Sequence, residues 1–224
     1  MEKLYRYLPY FFTSFFVLVV YCFYATYFGH FPDFEGIKST VDKKPLPITA
    51  ITHFHATMVV LWLLMLIVQP ILIVNKKLDW HRLLGKASYL VVGLLFISMI
   101  LVIRQEQLRE KNLIVFNVNL FDMPVFIVLY GLAIYHRKTP AYHSRFMIMS
   151  ILPFLSPALG RIQVESLPVQ LGLWILFFVI EFFTRKTYKP YLIGFGYYFA
   201  NLAFAAYLAL ANQPLLNRIW HFFF

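Results

Sequence analysis

The chain contains very little cysteine, since Cys22 is the only one among its 224 residues. A disulfide needs two cysteines, and iron–sulfur clusters and Cys-ligated zinc sites use several thiolates. The sequence therefore excludes an internal disulfide framework and these thiolate sites. Any metal ion or cofactor bound by these residues has to be held by histidine, carboxylate or methionine side chains.

Charged residues are also scarce. Only 13% of the residues are charged, whereas 61% are hydrophobic and the mean hydropathy is +0.69. A soluble domain carries about 25% charged residues, so this composition predicts an integral membrane protein. The formal net charge of +10 comes from short basic clusters between apolar runs. We interpret these clusters as topology signals that contact anionic lipid headgroups, and we expect no nucleic-acid binding.

Several catalytic and binding motifs are missing from the sequence. It has no G-x-x-x-x-G-K-[ST] loop, no H-E-x-x-H and no G-x-S-x-G. None of these motifs therefore assigns the chain to an enzyme class. The last long apolar run, 191–211, has no lysine that could form a retinal Schiff base. The apolar runs carry neither paired acids nor strong glycine breaks, which are typical of many secondary transporters. Small-solute transport is therefore only a third hypothesis.

What the sequence does contain is a series of apolar runs of membrane-spanning length. A crossing helix needs about 20 mostly apolar residues. We predict an all-α fold, a polytopic transmembrane helix bundle of about seven spans that forms a single integral membrane domain over 1–224. The predicted spans are 8–28, 50–74, 83–103, 114–135, 143–163, 167–184 and 191–211. We expect the first span to be a retained helix rather than a cleaved signal, and the fifth, which contains Pro153 and Pro157, to be kinked.

The distribution of basic residues predicts the orientation. With the N-terminus in the cytoplasm, the inner segments carry more than half of the 20 lysines and arginines. These residues are Lys3, Arg6, Lys76, Lys77, Arg82, Lys86, Arg137, Lys138, Arg145, Arg185, Lys186 and Lys189. The positive-inside rule therefore favours a cytoplasmic N-terminus and an external C-terminus.

Two histidines at the predicted inner level form one candidate site. His81 opens the third span, and His143 opens the fifth, with Arg145 beside it. At one depth, the two rings are positioned to face each other as the axial ligands of a haem do. The alternative is that both are interfacial residues that bind lipid headgroups or cap helices.

A second candidate site lies at the predicted outer level. Asp122 is an acid within an otherwise apolar span, and such a residue is a functional candidate that needs a partner. Arg161, at the outer end of the fifth span, has a compatible depth, and His55 and Asn119 lie at a similar level. These residues predict either a pocket in which His55 and Asp122 bind a metal ion, a proton or an anionic headgroup, or a structural Asp–Arg clamp. Glu181 also lies within a predicted span. We interpret it as one half of an ion pair on the helix surface with Arg185, four residues later.

Three motifs taken together carry a resemblance. They are His55-x-x-Met58-x-x-x-Trp62 running to Gln69-Pro70, Leu78-x-x-His81-Arg82-x-x-Gly85, and Pro140-x-x-His143-x-Arg145-x-Met147 ending in Pro157-Ala-x-x-Arg161. This pattern resembles a group of small bacterial polytopic membrane proteins of unassigned function. That group is similar in outline to the transmembrane cytochrome b and ferric-reductase superfamily, and to small membrane proteins linked with terminal-oxidase assembly. The likeness implies haem held by histidines of neighbouring helices.

The resemblance covers about half of the chain and departs from the two-haem pattern. The outer level has His55 without a histidine on a facing helix, so the likeness implies one haem, between His81 and His143. The leading hypothesis is a cytochrome-b-like protein of the bacterial inner membrane with a polar or redox site in the second to fifth spans. It would bind haem or a metal, or carry electrons or protons to a partner complex. The alternative is a non-catalytic subunit or assembly factor of a larger membrane complex.

Overall fold

The computed structural model describes residues 6–34, 37–38, 45–46, 48–109, 111–184 and 189–223. The chain divides into two compact units, Met1–Val102 and Ile103–Phe224, and each is treated by itself. The first unit contains α1 (Leu8–Cys22), a 3₁₀ turn (Phe28–His30), the two-residue antiparallel strands β1 (Ile37–Lys38) and β2 (Pro45–Leu46), α2 (Ala50–Val74) and most of α3 (Leu78–Arg109).

The second unit contains the end of α3 and the remaining helices. They are α4 (Leu113–Tyr135), α5 (Pro140–Met149), a 3₁₀ turn (Leu152–Phe154), α6 (Leu155–Arg161), α7 (Ser166–Thr184), α8 (Lys189–Leu210) and α9 (Gln213–Phe223). The all-α class predicted from the sequence is confirmed.

Five helices in the described part of the chain are long and apolar enough to cross a membrane. They are Ala50–Val74, Leu78–Arg109, Val115–Tyr135, Ser166–Phe183 and Lys189–Leu210. Each carries large apolar side chains on its exposed surface, Leu90, Ile175 and Leu192 among them. Such a surface belongs in lipid, because in water its exposure would be costly. Membrane-spanning helices are thereby confirmed, whereas the count of seven spans and the cytoplasmic N-terminus stay predictions.

The helix in the first predicted span is shorter than expected. It covers 15 residues and ends at Cys22, which gives a length of roughly 22 Å at 1.5 Å per residue. Its buried residues are Leu8, Phe12, Phe15, Val19 and Cys22. The spacing of four and three residues places them on one face of the helix, which packs against α2.

The fifth predicted span, 143–163, is broken rather than simply kinked. α5 ends at Met149, a 3₁₀ turn follows, and α6 begins at Leu155. Pro153 and Pro157 explain the break, because proline has no amide N–H to donate and its ring clashes with the preceding turn. Backbone carbonyls around the break are therefore available to side chains from other helices.

This broken segment runs antiparallel to α4 over most of its length. Ser156 donates a hydrogen bond to Asp122, and the rings of Phe154 and Phe126 lie 5.2 Å apart. Toward the other end of α4, the ring of His136 stacks on that of Phe146. Because residue numbers fall along α4 as they rise along the segment, the two pack side by side in opposite directions.

α7 and α8 complete an up-and-down arrangement in the second unit. The rings of Phe177 and Tyr191 lie 5.2 Å apart, and those of Trp174 and Phe195 lie 5.5 Å apart, so α7 and α8 are antiparallel. Asn117 of α4 also donates to the Ala205 carbonyl of α8 at 2.9 Å. The second unit is therefore a bundle of four antiparallel segments, α4, α5–α6, α7 and α8, which is a common helical architecture.

Candidate functional site

A cluster of polar side chains lies inside this four-segment bundle, and each segment contributes to it. Asp122 comes from α4, Ser156 from α6, Gln170 from α7 and Tyr198 from α8. Asp122 is 5% exposed, Gln170 2% and Tyr198 0%. Ser166, the first residue of α7, joins the cluster at its edge. We call these five residues the Asp122 cluster.

Hydrogen bonds in the Asp122 cluster all point toward the carboxyl group. The Tyr198 hydroxyl donates to Oε1 of Gln170 in a short contact. Nε2 of Gln170 donates to Oγ of Ser156 at 3.1 Å, and that hydroxyl donates to Oδ1 of Asp122 at 3.3 Å. Ser166 also donates to Oγ of Ser156, over 3.5 Å. Asp122 is thus the final acceptor of the whole set.

The break in the fifth predicted span gives the cluster a backbone oxygen. Nε2 of Gln170 also donates to the Leu152 carbonyl at 3.2 Å. Leu152 begins the 3₁₀ turn, and its carbonyl accepts from the Leu155 N–H as well as from the Gln170 side chain. The polar side chains therefore meet at the point where the helix is interrupted, as in many membrane binding sites.

Aromatic rings surround the cluster on the side of α7 and α8. The ring centroids of Phe121 and Tyr198 lie 5.1 Å apart, and those of Trp174 and Tyr198 lie 5.8 Å apart. The Trp174 side chain is buried, and its indole N–H has no hydrogen-bond acceptor among the described residues. α8 approaches this wall closely at Gly194, where a Cβ atom would collide with Met149.

A second polar group lies toward the other end of the bundle. Nε of Arg145, from α5, donates to Oε1 of Glu181, from α7, at 2.6 Å, and each side chain is 1% exposed. Nη1 of Arg145 donates to the Ala141 carbonyl at 2.7 Å. Glu181 and Gln170 are 11 residues apart on α7, which corresponds to roughly 16 Å. The pair and the Asp122 cluster are therefore separate sites.

The structure shows the following contacts of the charged residues that the sequence singled out. Asp122 hydrogen-bonds to Ser156, and Arg161 interacts electrostatically with Glu106. Glu181 pairs with Arg145, a residue 36 positions away in the sequence, and the expected partner Arg185 lies outside the described residues. Asn119 is half-buried on α4.

His143 has the ring orientation of a cofactor ligand. Its Nδ1 is 2.8 Å from the Ala133 carbonyl, which can only accept, so Nδ1 carries the hydrogen. In the neutral ring, Nε2 then presents its lone pair. Histidines that bind metals or haem iron are held in this way by a carbonyl or carboxylate on the other nitrogen.

His55 shows the same arrangement within the first unit. Its Nδ1 lies 3.0 Å from Oγ of Ser98, and that hydroxyl donates its own hydrogen to the Leu95 carbonyl at 2.7 Å. Oγ must therefore accept from Nδ1–H, which leaves the lone pair on Nε2 of His55.

His81 is held in the opposite tautomer. With the Gln69 amide oriented to satisfy both of its neighbours, its nitrogen donates to Nδ1 of His81 and its oxygen accepts from the Gly85 N–H at 3.0 Å. The hydrogen of a neutral His81 ring then lies on Nε2, so that nitrogen has no lone pair for a metal. The donor geometry consequently fits haem ligation at His143 better than at His81.

The metal-site hypothesis receives no geometric support in the described part of the chain. No group of three or more His, Cys, Asp or Glu side chains there is close enough to hold a metal ion. His55 belongs to the first unit and Asp122 to the second. Their joint role as metal ligands stays a prediction, and the Asp122 carboxyl group accepts a hydrogen bond from the Ser156 hydroxyl.

Sequence reasoning missed four of the five residues of the Asp122 cluster, Ser156, Ser166, Gln170 and Tyr198. They are scattered over separate apolar runs that contain other polar residues as well. Gln170 carried the strongest signal, because an amide within a membrane span has to find a hydrogen-bond partner. The Arg145–Glu181 pair had a signal as well, since two opposite charges occurred at the same predicted depth.

Comparison with known proteins gives no indication of function. No family model, no curated protein and no solved structure matches the chain. The resemblance to cytochrome-b-like membrane proteins accordingly stays a prediction, and the Asp122 cluster and the histidine geometry carry the proposals below.

Proposed function

We propose that this protein transfers protons within a membrane, with Asp122 as the group that takes up and releases them. The observation that carries the proposal is a buried carboxyl group in a membrane-length helix, linked through Ser156 to polar side chains of the other bundle segments. An ionisable residue at such a place is costly and is retained for function by default. Among the described residues, no basic side chain forms an ion pair with Asp122.

The hydroxyl groups supply a route to the carboxyl group. Ser166 is the first residue of α7, at the end of the bundle, and its hydroxyl contacts Ser156, which contacts Asp122. Hydroxyl groups pass protons readily because each can donate and accept at once. Gln170 holds Ser156 and Tyr198 in place, since an amide donates and accepts through different atoms.

Proton uptake into proteoliposomes tests the proposal. With a membrane potential set by potassium and valinomycin, vesicles with the native protein should acidify faster than empty vesicles. Asp122→Asn should reduce that rate to the level of empty vesicles, because the amide cannot exchange a proton yet keeps an acceptor for Ser156. Asp79→Asn is a matched control, since Asp79 is an exposed acid whose side chain is paired with Arg82.

The outcomes of this assay separate the leading proposal from its alternative. Equal uptake by native protein and Asp122→Asn would remove the proton-transfer function. Absence of uptake by the native protein, together with copurifying membrane subunits, would favour a non-catalytic subunit or assembly factor of a larger complex. Loss of uptake in Asp79→Asn as well would show that the assay reports damage rather than chemistry.

Electron transfer through a haem is a second candidate function, favoured by the His143 ring geometry. The Ala133 carbonyl fixes the tautomer in which Nε2 is free to bind iron. A reduced-minus-oxidised absorption spectrum of the purified protein should then show a Soret shift and an α-band. His143→Ala should abolish both, whereas His136→Ala, on the same side of the bundle, should leave them. A flat spectrum of the native protein would exclude this function.

We further propose that the chain crosses a bacterial inner membrane seven times, with a cytoplasmic N-terminus. The antiparallel packing of 140–161 against α4 supports its role as one broken crossing. A Cys22→Ala background allows single cysteines to be labelled by an impermeant maleimide. In intact cells, Gln163→Cys should react and Lys138→Cys should not. The reverse labelling, or labelling of both, would contradict this topology.

A further inference from the structure

We infer that the Asp122 cluster also binds one sodium ion, held between the Asp122 carboxylate and the oxygens at the break between α5 and α6. This inference rests on the proposed function, because both assign ion binding to Asp122. The proposed function concerns protons, whereas this inference concerns sodium. The oxygen donors are the carboxylate of Asp122, the hydroxyls of Ser156 and Ser166, the Leu152 carbonyl and, after rotation of its amide, Oε1 of Gln170.

The donor types match a hard cation. All of these groups present oxygen, the ligand that alkali and alkaline-earth ions prefer, and none presents sulfur or imidazole nitrogen. Interrupted membrane helices provide such sites because their carbonyls are not used within the helix. The Leu152 carbonyl accepts from the Leu155 N–H within the 3₁₀ turn, and its second lone pair, which accepts from Gln170 in this structure, is the one that a cation would use.

The spacing of the oxygens matches the size of sodium. Oγ of Ser156 lies 3.3 Å from Oδ1 of Asp122 and 3.5 Å from Oγ of Ser166. Ordinary O–H···O hydrogen bonds have a length of about 2.7–2.8 Å, so these oxygens are unusually far apart. Ligands of an ion of the size of Na⁺ or Ca²⁺ lie about 2.4 Å from it. Two such ligands whose bonds to the ion form a right angle are about 3.4 Å apart. Oγ of Ser156 is thus separated from the Asp122 and Ser166 oxygens by the distance expected between neighbouring ligands in one coordination shell.

The charge of the cluster selects a monovalent ion. One carboxylate offsets a single positive charge, and Asp122 is the only acid of the cluster. Calcium or magnesium in a buried site would leave a second charge without compensation, which is costly in the low-dielectric interior of a bundle. Sodium is therefore favoured over a divalent ion of the same size.

Rotation of the Gln170 amide would open the site. In the present structure Nε2 of Gln170 points at both the Leu152 carbonyl and Oγ of Ser156, so an N–H group occupies the position between acceptors that a cation would take. A half-turn of the amide puts Oε1 in the place of Nε2 as a further oxygen ligand and leaves the space of the N–H hydrogens to a cation. Nε2 then donates to the oxygen of Tyr198.

Sodium-dependent thermal unfolding of the detergent-purified full-length protein tests the inference at fixed pH. Sodium chloride is titrated against choline chloride at constant ionic strength, with a parallel series in potassium chloride. The melting temperature of the native protein should rise by about 5–10 °C once sodium is about 100 times its Kd, and saturate. Potassium should give a much smaller rise.

Variants identify the site, and proton uptake separates this inference from the proposed function. Ser156→Ala and Asp122→Asn should lose the sodium-specific rise, whereas Ser98→Ala, a buried serine of the first unit, should keep it. An equal rise in choline or potassium, or a full rise in Ser156→Ala, would overturn the sodium site. If Ser156→Ala does not fold, the absence of saturable ²²Na⁺ binding to native protein overturns it instead. Proton uptake is measured in sodium-free medium, so either claim can fail while the other stands.

Discussion

The two polar groups of the second unit differ in how completely their charges are compensated. The Arg145 guanidinium and the Glu181 carboxylate bind each other and are almost fully buried. The Asp122 carboxyl group, by contrast, accepts from a neutral hydroxyl that belongs to a wider set of neutral donors. An ion pair whose two charges offset each other gains little by exchanging protons or ions, whereas a carboxyl group among neutral oxygens can hold a proton or a cation. The first group therefore has a structural role, and the second is suited to function.

The largest expected effect is on the ion pair. Glu181→Ala leaves the Arg145 charge buried without its carboxylate, and we expect the free energy of unfolding to fall by about 3–5 kcal/mol. The double variant Arg145→Met, Glu181→Leu removes both charges and should recover most of that loss. Unfolding of the three proteins in mixed detergent micelles measures the difference. A double variant as unstable as Glu181→Ala would mean that the pair itself stabilises the fold.

A smaller effect is expected from the amide that holds the cluster together. Gln170→Leu fits the apolar surroundings but leaves the buried Tyr198 hydroxyl without its acceptor, which should cost about 1–3 kcal/mol. Proton uptake should slow, because Ser156 loses a donor that positions it. Gln69→Leu is the control, since Gln69 lies in the first unit and contacts His81 and Gly85. Unchanged stability in Gln170→Leu would show that the cluster is not cooperative.

The smallest expected effect on stability is at the acid itself. Asp122→Asn retains the acceptor oxygen for Ser156, so we expect the free energy of unfolding to change by less than about 1 kcal/mol. The same variant should lose proton uptake. A large loss of stability would mean that Asp122 has a structural role, as the Arg145–Glu181 pair does. The two sites would then not differ in the way that this account requires.

Helix positions were predictable from the sequence wherever local signals were strong. α2 begins after Thr49, whose side chain accepts from the Thr52 N–H at 3.3 Å, and it ends before the Asn75–Lys77 turn. Both boundaries match the predicted span 50–74, because a cap and a polar turn are local features. The interruption at Leu152 was less visible, since proline kinks and proline breaks have the same sequence pattern.

The composition of the candidate site was only partly predictable, for a physical reason. Asp122 stood out because an acid in an apolar run is costly. Ser156, Gln170 and Tyr198 come together only through the antiparallel packing of separate helices, and no local pattern records that packing. The same holds for the contact of Glu181 with Arg145, which lies on a different helix, whereas the predicted partner of Glu181, Arg185, lies outside the described residues.

Proton uptake by Asp122→Asn proteoliposomes, with thermal unfolding of the same preparation, is the most direct test of the central claim. The account predicts a variant that folds like the native protein and is as inactive as empty vesicles. A folded variant that takes up protons at the native rate would contradict it, because Asp122 would then have no part in proton transfer.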